Sequence, residues 1–207
     1  VIDKQPQLQY LSMTDAVEHC NRGMSSWKWA SNDDKVEPDV ILACAGDIAT
    51  METVAAAWWL RKHIPEMKVR VVNVVDLMTL YPPFFHPHGV QESVFIEHFT
   101  ADKPVVFAFH GYQRAIHEII HGRPNAARFH VRGFNEEGTT TTPFDMVVLN
   151  GMSRYDLAIE AMKRAPRVQA QTPELIAECN DILTRHHSYV RANLEDMPEV
   201  RDWVWSD

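Results

Sequence analysis

The chain has 207 residues, of which 45% are hydrophobic and 23% are charged. This length is enough for one compact domain with a sizeable core, or for one domain with a helical tail, and too short for two large domains. The formal net charge is -8 and no long block of Lys and Arg is present, which argues against a nucleic acid or an anionic membrane as partner.

The cysteines and the N-terminus indicate the cellular compartment of the protein. The three cysteines, Cys20, Cys44 and Cys179, are odd in number and far apart, so they predict neither a disulfide framework nor a CxxC metal site. No apolar run reaches the roughly 20 residues of a membrane-spanning helix, and no signal-peptide pattern is present. We therefore expect a cytoplasmic protein, and the start at Val1 instead of Met suggests a piece of a longer one.

The N-terminal residues predict an arm followed by a helix. Residues 1–13 have no clear period and contain Pro6, so we interpret them as a linker or arm from a preceding domain. Residues 14–207 then form a single α/β domain. Thr14 offers the N-cap of its first helix, which Gly23 can end.

Two apolar runs predict the first buried strands. Residues 39–46 and 70–76 are nearly continuous apolar runs of strand length, typical of strands buried on both faces of a parallel sheet. Between them, Asp47 can cap a long helix rich in alanine, and Pro65 ends it.

Strands and helices continue to alternate. A helix around residues 90–99 precedes a third strand over 104–110, and the helix that carries the sequence HEIIH precedes a fourth strand over 128–134. This alternation predicts a parallel α/β sheet with helices on both faces.

The C-terminal third predicts helices only. The first has a complete start signal, with Thr142 as N-cap, Pro143 at the first helical position and Asp145 at the third to reach back. Two further helices are predicted over residues 153–165 and 172–195, and the second is opened in the same way by Thr172 as N-cap, Pro173 and Glu174.

The HEIIH sequence is the most specific chemical motif of the chain. His117 and His121 are one helical turn apart with Glu118 between them, which is the pattern of zinc proteases. A third ligand would have to come from elsewhere, for example from Glu136 or Glu137. One hypothesis is therefore a zinc hydrolase.

The neighbours of this motif argue against zinc. Arg114 lies on the same polar arc of the predicted helix, where its guanidinium would face the metal and pair with Glu118. Gly122 and Pro124 end the helix immediately, so the longer protease signature is missing. We favour an amphipathic helix with an Arg114–Glu118 ion pair, whose histidines face solvent or another domain.

Two loops resemble ligand sites more weakly. His86 and His88 flank Pro87, which is compatible with metal binding, although a rigid surface turn fits the proline better. Gly46 and Asp47 join a strand to a helix as in phosphate-binding loops. The single glycine and the acidic residue argue against a dinucleotide.

A group of basic side chains surrounds the fourth strand. Arginine suits phosphates and carboxylates, so this group could form an anion or effector site, or an interface. The alternative is that these arginines pair with the excess of acidic residues. The candidates are Arg114, His117, Arg123, Arg128 and Arg132.

Long segments of the chain resemble a known family. FHGYQRAIH (109–117), HVRGFNEEGTTTTPFDMVVLN (130–150) and SRYDLAIEAM (153–162) are similar to the C-terminal domain of phosphoketolase. Residues 4–16 resemble the segment that leads into that domain, and residues 39–83 are also similar to the C-terminal domain of transketolases. The resemblance covers essentially the whole chain.

The resemblance implies a fold and a parent reaction. The fold is a three-layer α/β/α sandwich with a five-stranded, mostly parallel mixed sheet and one antiparallel edge strand. The parent enzyme uses thiamine diphosphate and Mg²⁺. It cleaves xylulose 5-phosphate or fructose 6-phosphate with phosphate to acetyl phosphate, an aldose phosphate and water.

The chain lacks the catalytic segments of that family. It has no GDG segment to hold the diphosphate and Mg²⁺, and the family's catalytic histidines and glutamate belong to upstream domains. We therefore assign no catalytic, cofactor or metal residue to this chain and expect the domain alone to be inactive. The resemblance implies an assembly role on the upstream domains and in a homodimer or higher oligomer, with a metabolite-binding effector site as a further hypothesis.

Overall fold

The computed structural model describes residues 7–135, 138 and 140–206. The strands are β1 (Met24–Ser26), β2 (Val40–Ala45), β3 (Val69–Val74), β4 (Val105–Phe109) and β5 (Phe129–Gly133). The helices are α1 (Met13–Arg22), α2 (Asp47–His63), α3 (Glu92–Phe99), α4 (Gln113–Ile120), α5 (Pro143–Leu149), α6 (Arg154–Lys163), α7 (Thr172–Asn193) and α8 (Pro198–Arg201). Short 3-10 helices lie at Leu77–Leu80, Ala126–Arg128 and Pro166–Gln171.

One mixed sheet forms the centre of the domain, in the order β1-β3-β2-β4-β5. The pairs among β2, β3, β4 and β5 are parallel, and Leu42 of the central strand lies between Val71 and Val106. β1 pairs antiparallel with β3, with Met24 opposite Val74. The four strands predicted from the sequence pattern are confirmed, and so is the antiparallel edge strand that the family resemblance implied.

Helices cover both faces of the sheet. Successive residues of a strand point to opposite faces, so Leu42 and Cys44 face a core shared with α2, α5, α6 and α7, whereas Ile41 and Ala43 face a core shared with α3 and α4. The predicted three-layer α/β/α architecture is therefore confirmed. Within the described residues, no helix is both long and apolar enough to cross a membrane.

Three helices begin at other residues than predicted. The Ser12 hydroxyl, and not that of Thr14, accepts a backbone N–H in the first turn of α1. The N-cap of α2 is Gly46, because its φ of 101° is non-helical, and Asp47 is the first helical residue. α7 likewise begins at Thr172 itself, one residue earlier than predicted.

The start of α5 is capped from a distant part of the chain. Thr142 occupies the N-cap position as predicted, but its side chain makes no capping hydrogen bond. The carboxylate of Asp196 accepts the Phe144 N–H at 3.0 Å instead. Asp145 does not reach back as predicted, since its carboxylate accepts the hydroxyl of Thr141. The local sequence therefore predicted the correct start of this helix but the wrong capping group.

A buried ion pair joins α2 to α6. The carboxylate of Glu52 accepts the Arg154 backbone N–H at 2.7 Å, Nε at 3.0 Å and Nη2 at 2.8 Å. Both side chains are almost inaccessible to solvent. Removing one partner would leave an uncompensated buried charge, so this pair fixes how the two helices pack on the sheet.

Candidate functional site

A crevice of about 790 Å³ opens at the carboxyl ends of β2, β3 and β4. It is lined by residues that follow these strands, including Gly46, Val75 and His110, by the arm residues 7–11 and by α1. The helix after β2 packs on one face of the sheet and the helix after β4 packs on the other. Such a reversal between neighbouring strands is where open α/β sheets usually bind ligands.

A smaller depression of about 520 Å³ lies between the loop at residues 33–37 and α3. Its arginine, Arg70, pairs with Asp33 at 2.8 Å and donates to the carbonyl of Glu97 at 2.8 Å. Because this guanidinium is already engaged by the protein, the crevice is the stronger candidate.

Asp47 and His110 form an ion pair or hydrogen bond across the crevice. Gly46 allows their approach, since a Cβ at that residue would lie 2.5 Å from the Cβ of His110. Nδ1 of His110 lies 2.6 Å from Oδ1 of Asp47, which also accepts the Ile48 N–H at 2.8 Å. Partial burial raises the pKa of the Asp47 carboxyl, but these two donors outweigh it, so the pKa lies below its ordinary value. The crevice therefore contains an ionised carboxylate.

A polar network extends from the crevice into the protein. Nδ2 of Asn73 donates to the Thr50 hydroxyl at 2.9 Å, and that hydroxyl donates to the Gly46 carbonyl at 2.6 Å. Oδ1 of Asn73 is then the acceptor for Nε2–H of His19 at 2.7 Å, and Nδ1 of His19 hydrogen-bonds the Ser25 hydroxyl at 2.7 Å. This pattern places a proton on Nε2 of a buried histidine and orders the crevice residues.

Aromatic and aliphatic side chains complete the lining. Tyr10, Trp27 and Phe109 contribute rings to the crevice, and the centroids of Tyr10 and Trp27 are 5.4 Å apart. Burial raises the pKa of the Tyr10 hydroxyl, so this tyrosine is neutral. Leu8 and Met13 also line the crevice and remain largely exposed.

The sequence predicts no site role for His19, Asn73 or His110. The signal for Asn73 is its position as the only polar residue in the otherwise apolar run over residues 71–75. No comparable signal marks His19 or His110, because their partners are 54 and 63 residues away in the chain.

The HEIIH motif lies on the exposed side of α4. His117, Glu118 and His121 are exposed, and His121 is the C-cap, so the helix ends directly before Gly122, as its stop signals predicted. In the described part of the chain no three His, Cys, Asp or Glu side chains group as metal ligands. The suggested third ligands at positions 136 and 137 lie outside the described residues.

The predicted Arg114–Glu118 ion pair is wrong for the described conformation. Both side chains are exposed on α4, yet among the ion pairs of the described residues none joins them. An exposed pair of this kind contributes little, so the helix loses almost nothing without it.

Arg123 and Arg128 are buried and bind backbone carbonyls. Arg123 donates to the carbonyls of Leu80 at 2.9 Å and Tyr81 at 2.6 Å. Arg128 donates to the carbonyl of Phe99 at 2.7 Å and to others in the same loop. These two members of the predicted basic group tie loops together, so an anion site would have to use its exposed members.

The remaining arginine of the group, Arg132, pairs with Glu160 at 2.5 Å, and Arg164 pairs with the same carboxylate at 2.5 Å. Arg164 also lies 3.2 Å from Nδ1 of His130. These pairs agree with the alternative that the arginines neutralise the acidic excess. The anion or effector role of Arg114, His117 and Arg132 stays a prediction.

His86 and His88 lie in a surface turn. His86 accepts the backbone N–H of His88 at 3.1 Å, and Nδ1 of His88 lies 2.8 Å from Asp76. These hydrogen bonds stabilise the turn without a metal ion.

A buried histidine cluster is a feature that sequence reasoning missed. His186 of α7 is inaccessible to solvent, and its Nε2 lies 3.4 Å from Asp196 and 3.9 Å from Asp145. Burial lowers the pKa of His186, and the two carboxylates oppose this effect. The cluster joins the C-terminal segment to the start of α5.

Comparisons with known proteins agree with this architecture. The sequence model of the family described as XFP C-terminal domain matches residues 4–205. The chain is 55% identical over 206 residues to a probable phosphoketolase of Bradyrhizobium diazoefficiens and 50% identical over 206 residues to one of Brucella abortus. These matches cover 99% and 100% of this chain but 26% of each relative, so the chain spans about a quarter of their length.

Solved structures show the same fold at low identity. A transketolase mutant from Pichia stipitis matches 81% of this chain and 21% of its own, with a TM-score of 0.55 and 18% identity. A complex of that transketolase with sedoheptulose 7-phosphate matches with a TM-score of 0.54 and 17% identity, over 80% of this chain and 21% of its own. From the fold, the family match and the identity to these relatives, the chain belongs to the XFP C-terminal domain family, the C-terminal part of phosphoketolases.

Proposed function

We propose that the chain is the C-terminal assembly domain of a thiamine-diphosphate-dependent phosphoketolase. The parent enzyme would cleave xylulose 5-phosphate or fructose 6-phosphate with phosphate to acetyl phosphate and an aldose phosphate, in the cytoplasm. The supporting observation is the 55% identity to a probable phosphoketolase along 99% of the chain. In this proposal residues 1–13 are the linker from the preceding domain and residues 14–207 are the C-terminal domain.

The residues that the structure describes do not fit thiamine diphosphate and Mg²⁺. The helix start that opens on the crevice carries the ionised carboxylate of Asp47, which would repel a diphosphate. The described residues gather no three-ligand carboxylate or histidine group for the metal. We therefore place cofactor binding in the upstream domains and assign this chain no chemical step.

Exposed apolar side chains outside the crevice lining support an assembly role. Phe84 and Phe85 are 76% and 59% exposed, and the centroids of their rings are 4.4 Å apart. Clusters of exposed apolar side chains on a protein surface usually mark contact surfaces. The proposed partners are the upstream domains of the same chain and a second subunit of a homodimer or higher oligomer.

An assay of acetyl phosphate tests this function. The 207-residue chain, the full-length parent and the parent truncated before this domain are each incubated with fructose 6-phosphate, phosphate, thiamine diphosphate and Mg²⁺. We expect acetyl phosphate from the full-length parent only. Product from the chain alone would contradict the non-catalytic role, and full activity of the truncated parent would contradict the assembly role.

A further inference from the structure

We propose that the crevice at the carboxyl edge of the sheet binds a small organic cation, an amine that carries an aromatic or other apolar body. This site goes beyond the assembly role and needs no catalytic chemistry. Its volume of about 790 Å³ falls within the range of about 300–1,000 Å³ that small-molecule sites usually have.

The charge of the lining selects a cation. Among the described residues that line the crevice there is one aspartate, Asp47, and no glutamate, lysine or arginine. Its carboxylate is partly exposed and ionised. Both bonds from His110 and Ile48 use Oδ1, and an ionised carboxylate can accept further donors on its other oxygen. A phosphate or carboxylate ligand would meet this charge, because no described lysine or arginine lines the crevice and its two histidines, His19 and His110, are already bound to Asn73 and Asp47.

The rings of the lining suit the apolar body of such a ligand. Tyr10, Trp27 and Phe109 line the crevice, and aromatic faces attract ammonium groups as well as apolar groups. Trp27 is held in place, since its ring centroid lies 5.4 Å from those of both Tyr10 and Trp29. A rigid lining lowers the entropy cost of binding.

The polar network beneath the crevice keeps Asp47 and His110 in position. Thr50 and Asn73 line the crevice and bind each other at 2.9 Å, and Thr50 holds the Gly46 carbonyl. Gly46 precedes Asp47 directly, so the network fixes the carboxylate relative to the rings. The site is therefore built before a ligand enters.

Isothermal titration with three indole compounds of different charge tests the proposal. The probes are tryptamine, a cation; tryptophol, its neutral analogue; and indole-3-propionate, an anion. At about pH 8 we expect saturable binding of one tryptamine per chain, and binding of the other two that is weaker by at least about fivefold. Equal binding of all three, or no saturation with tryptamine, would overturn the proposal.

Substitutions locate the site. Asp47→Asn should weaken tryptamine binding by about fivefold or more, whereas Asp181→Asn, on the exposed surface of α7, should leave it unchanged. Tyr10→Leu, which removes a ring without changing charge, should weaken binding of tryptamine and tryptophol alike. Equal unfolding midpoints of these variants establish that each is folded, and unchanged binding by Asp47→Asn would refute the site.

A last titration uses the full-length parent. If tryptamine binds the parent as it binds the 207-residue chain, the crevice is a ligand site of the whole enzyme. If tryptamine binds the chain and not the parent, the rest of the parent covers the crevice and the proposal is wrong. Neither result depends on whether acetyl phosphate is formed, so this test is independent of the proposed function.

Discussion

The exposed side of α4 and the crevice at the carboxyl edge differ in how their polar residues are brought together. On α4, His117, Glu118 and His121 are neighbours only because a helix places residues four apart on one side. In the crevice, Asp47 and His110 come from elements 63 residues apart and meet at 2.6 Å. The comparison shows that a motif within one helix supplies candidate ligands, whereas a site needs partners from other elements.

The largest expected difference in the free energy of unfolding is between substitutions of Arg123, which follows α4, and Arg114, which lies at its start. Arg123→Met removes a buried guanidinium and leaves the carbonyls of Leu80 and Tyr81 without their donor. We expect a loss of about 3 kcal/mol in the free energy of unfolding, measured by urea unfolding followed by tryptophan fluorescence.

The matched control is Arg114→Met, on the exposed side of α4. We expect its free energy of unfolding to stay within about 0.5 kcal/mol of that of the unsubstituted chain. Equal losses for the two variants would show that exposure does not distinguish these arginines.

The second largest loss of stability is expected for a glycine substitution in the crevice. Gly46→Ala places a Cβ 2.5 Å from the Cβ of His110, at a φ of 101° that alanine rarely adopts. We expect a loss of about 2 kcal/mol, because neither Cβ is the flexible end of a side chain. Thermal unfolding by circular dichroism gives the measurement.

Gly122→Ala, at the end of α4, is the corresponding control. The new Cβ would meet the ring edge of Phe85, which is 59% exposed and free to rotate away. The expected loss is about 0.5 kcal/mol. A larger loss here than for Gly46→Ala would reverse the comparison between the two regions.

The smallest expected effect concerns the HEIIH motif. His121→Ala should change neither the free energy of unfolding by more than about 0.5 kcal/mol nor the zinc content of the purified protein, because this histidine is an exposed C-cap. Elemental analysis gives the metal content. Stoichiometric zinc in the unsubstituted chain that disappears in the variant would revive the hydrolase hypothesis.

Local sequence patterns predicted the strands and helices well and the capping groups of the helices less well. The strands at residues 39–46 and 70–76 are identifiable from sequence because a strand buried on both faces must be apolar along its length. The cap of α5 was predicted incorrectly because Asp196, the group that accepts the Phe144 N–H, is 52 residues away in the chain. A local window contains Thr142 and Asp145 but has no information on a carboxylate from beyond α7.

The sequence alone determined the layers of this domain, its parallel strands and its family, because hydrophobic periodicity and long ungapped motifs are properties of neighbouring residues. Only the tertiary structure decided which polar side chains meet. Asn73 hydrogen-bonds His19 at 2.7 Å although the two are 54 residues apart in the chain. Arg123 donates to the Leu80 carbonyl at 2.9 Å across a separation of 43 residues. Hydrogen bonds act over about 3 Å, so such contacts depend on how the folded elements are placed and leave little trace in the sequence.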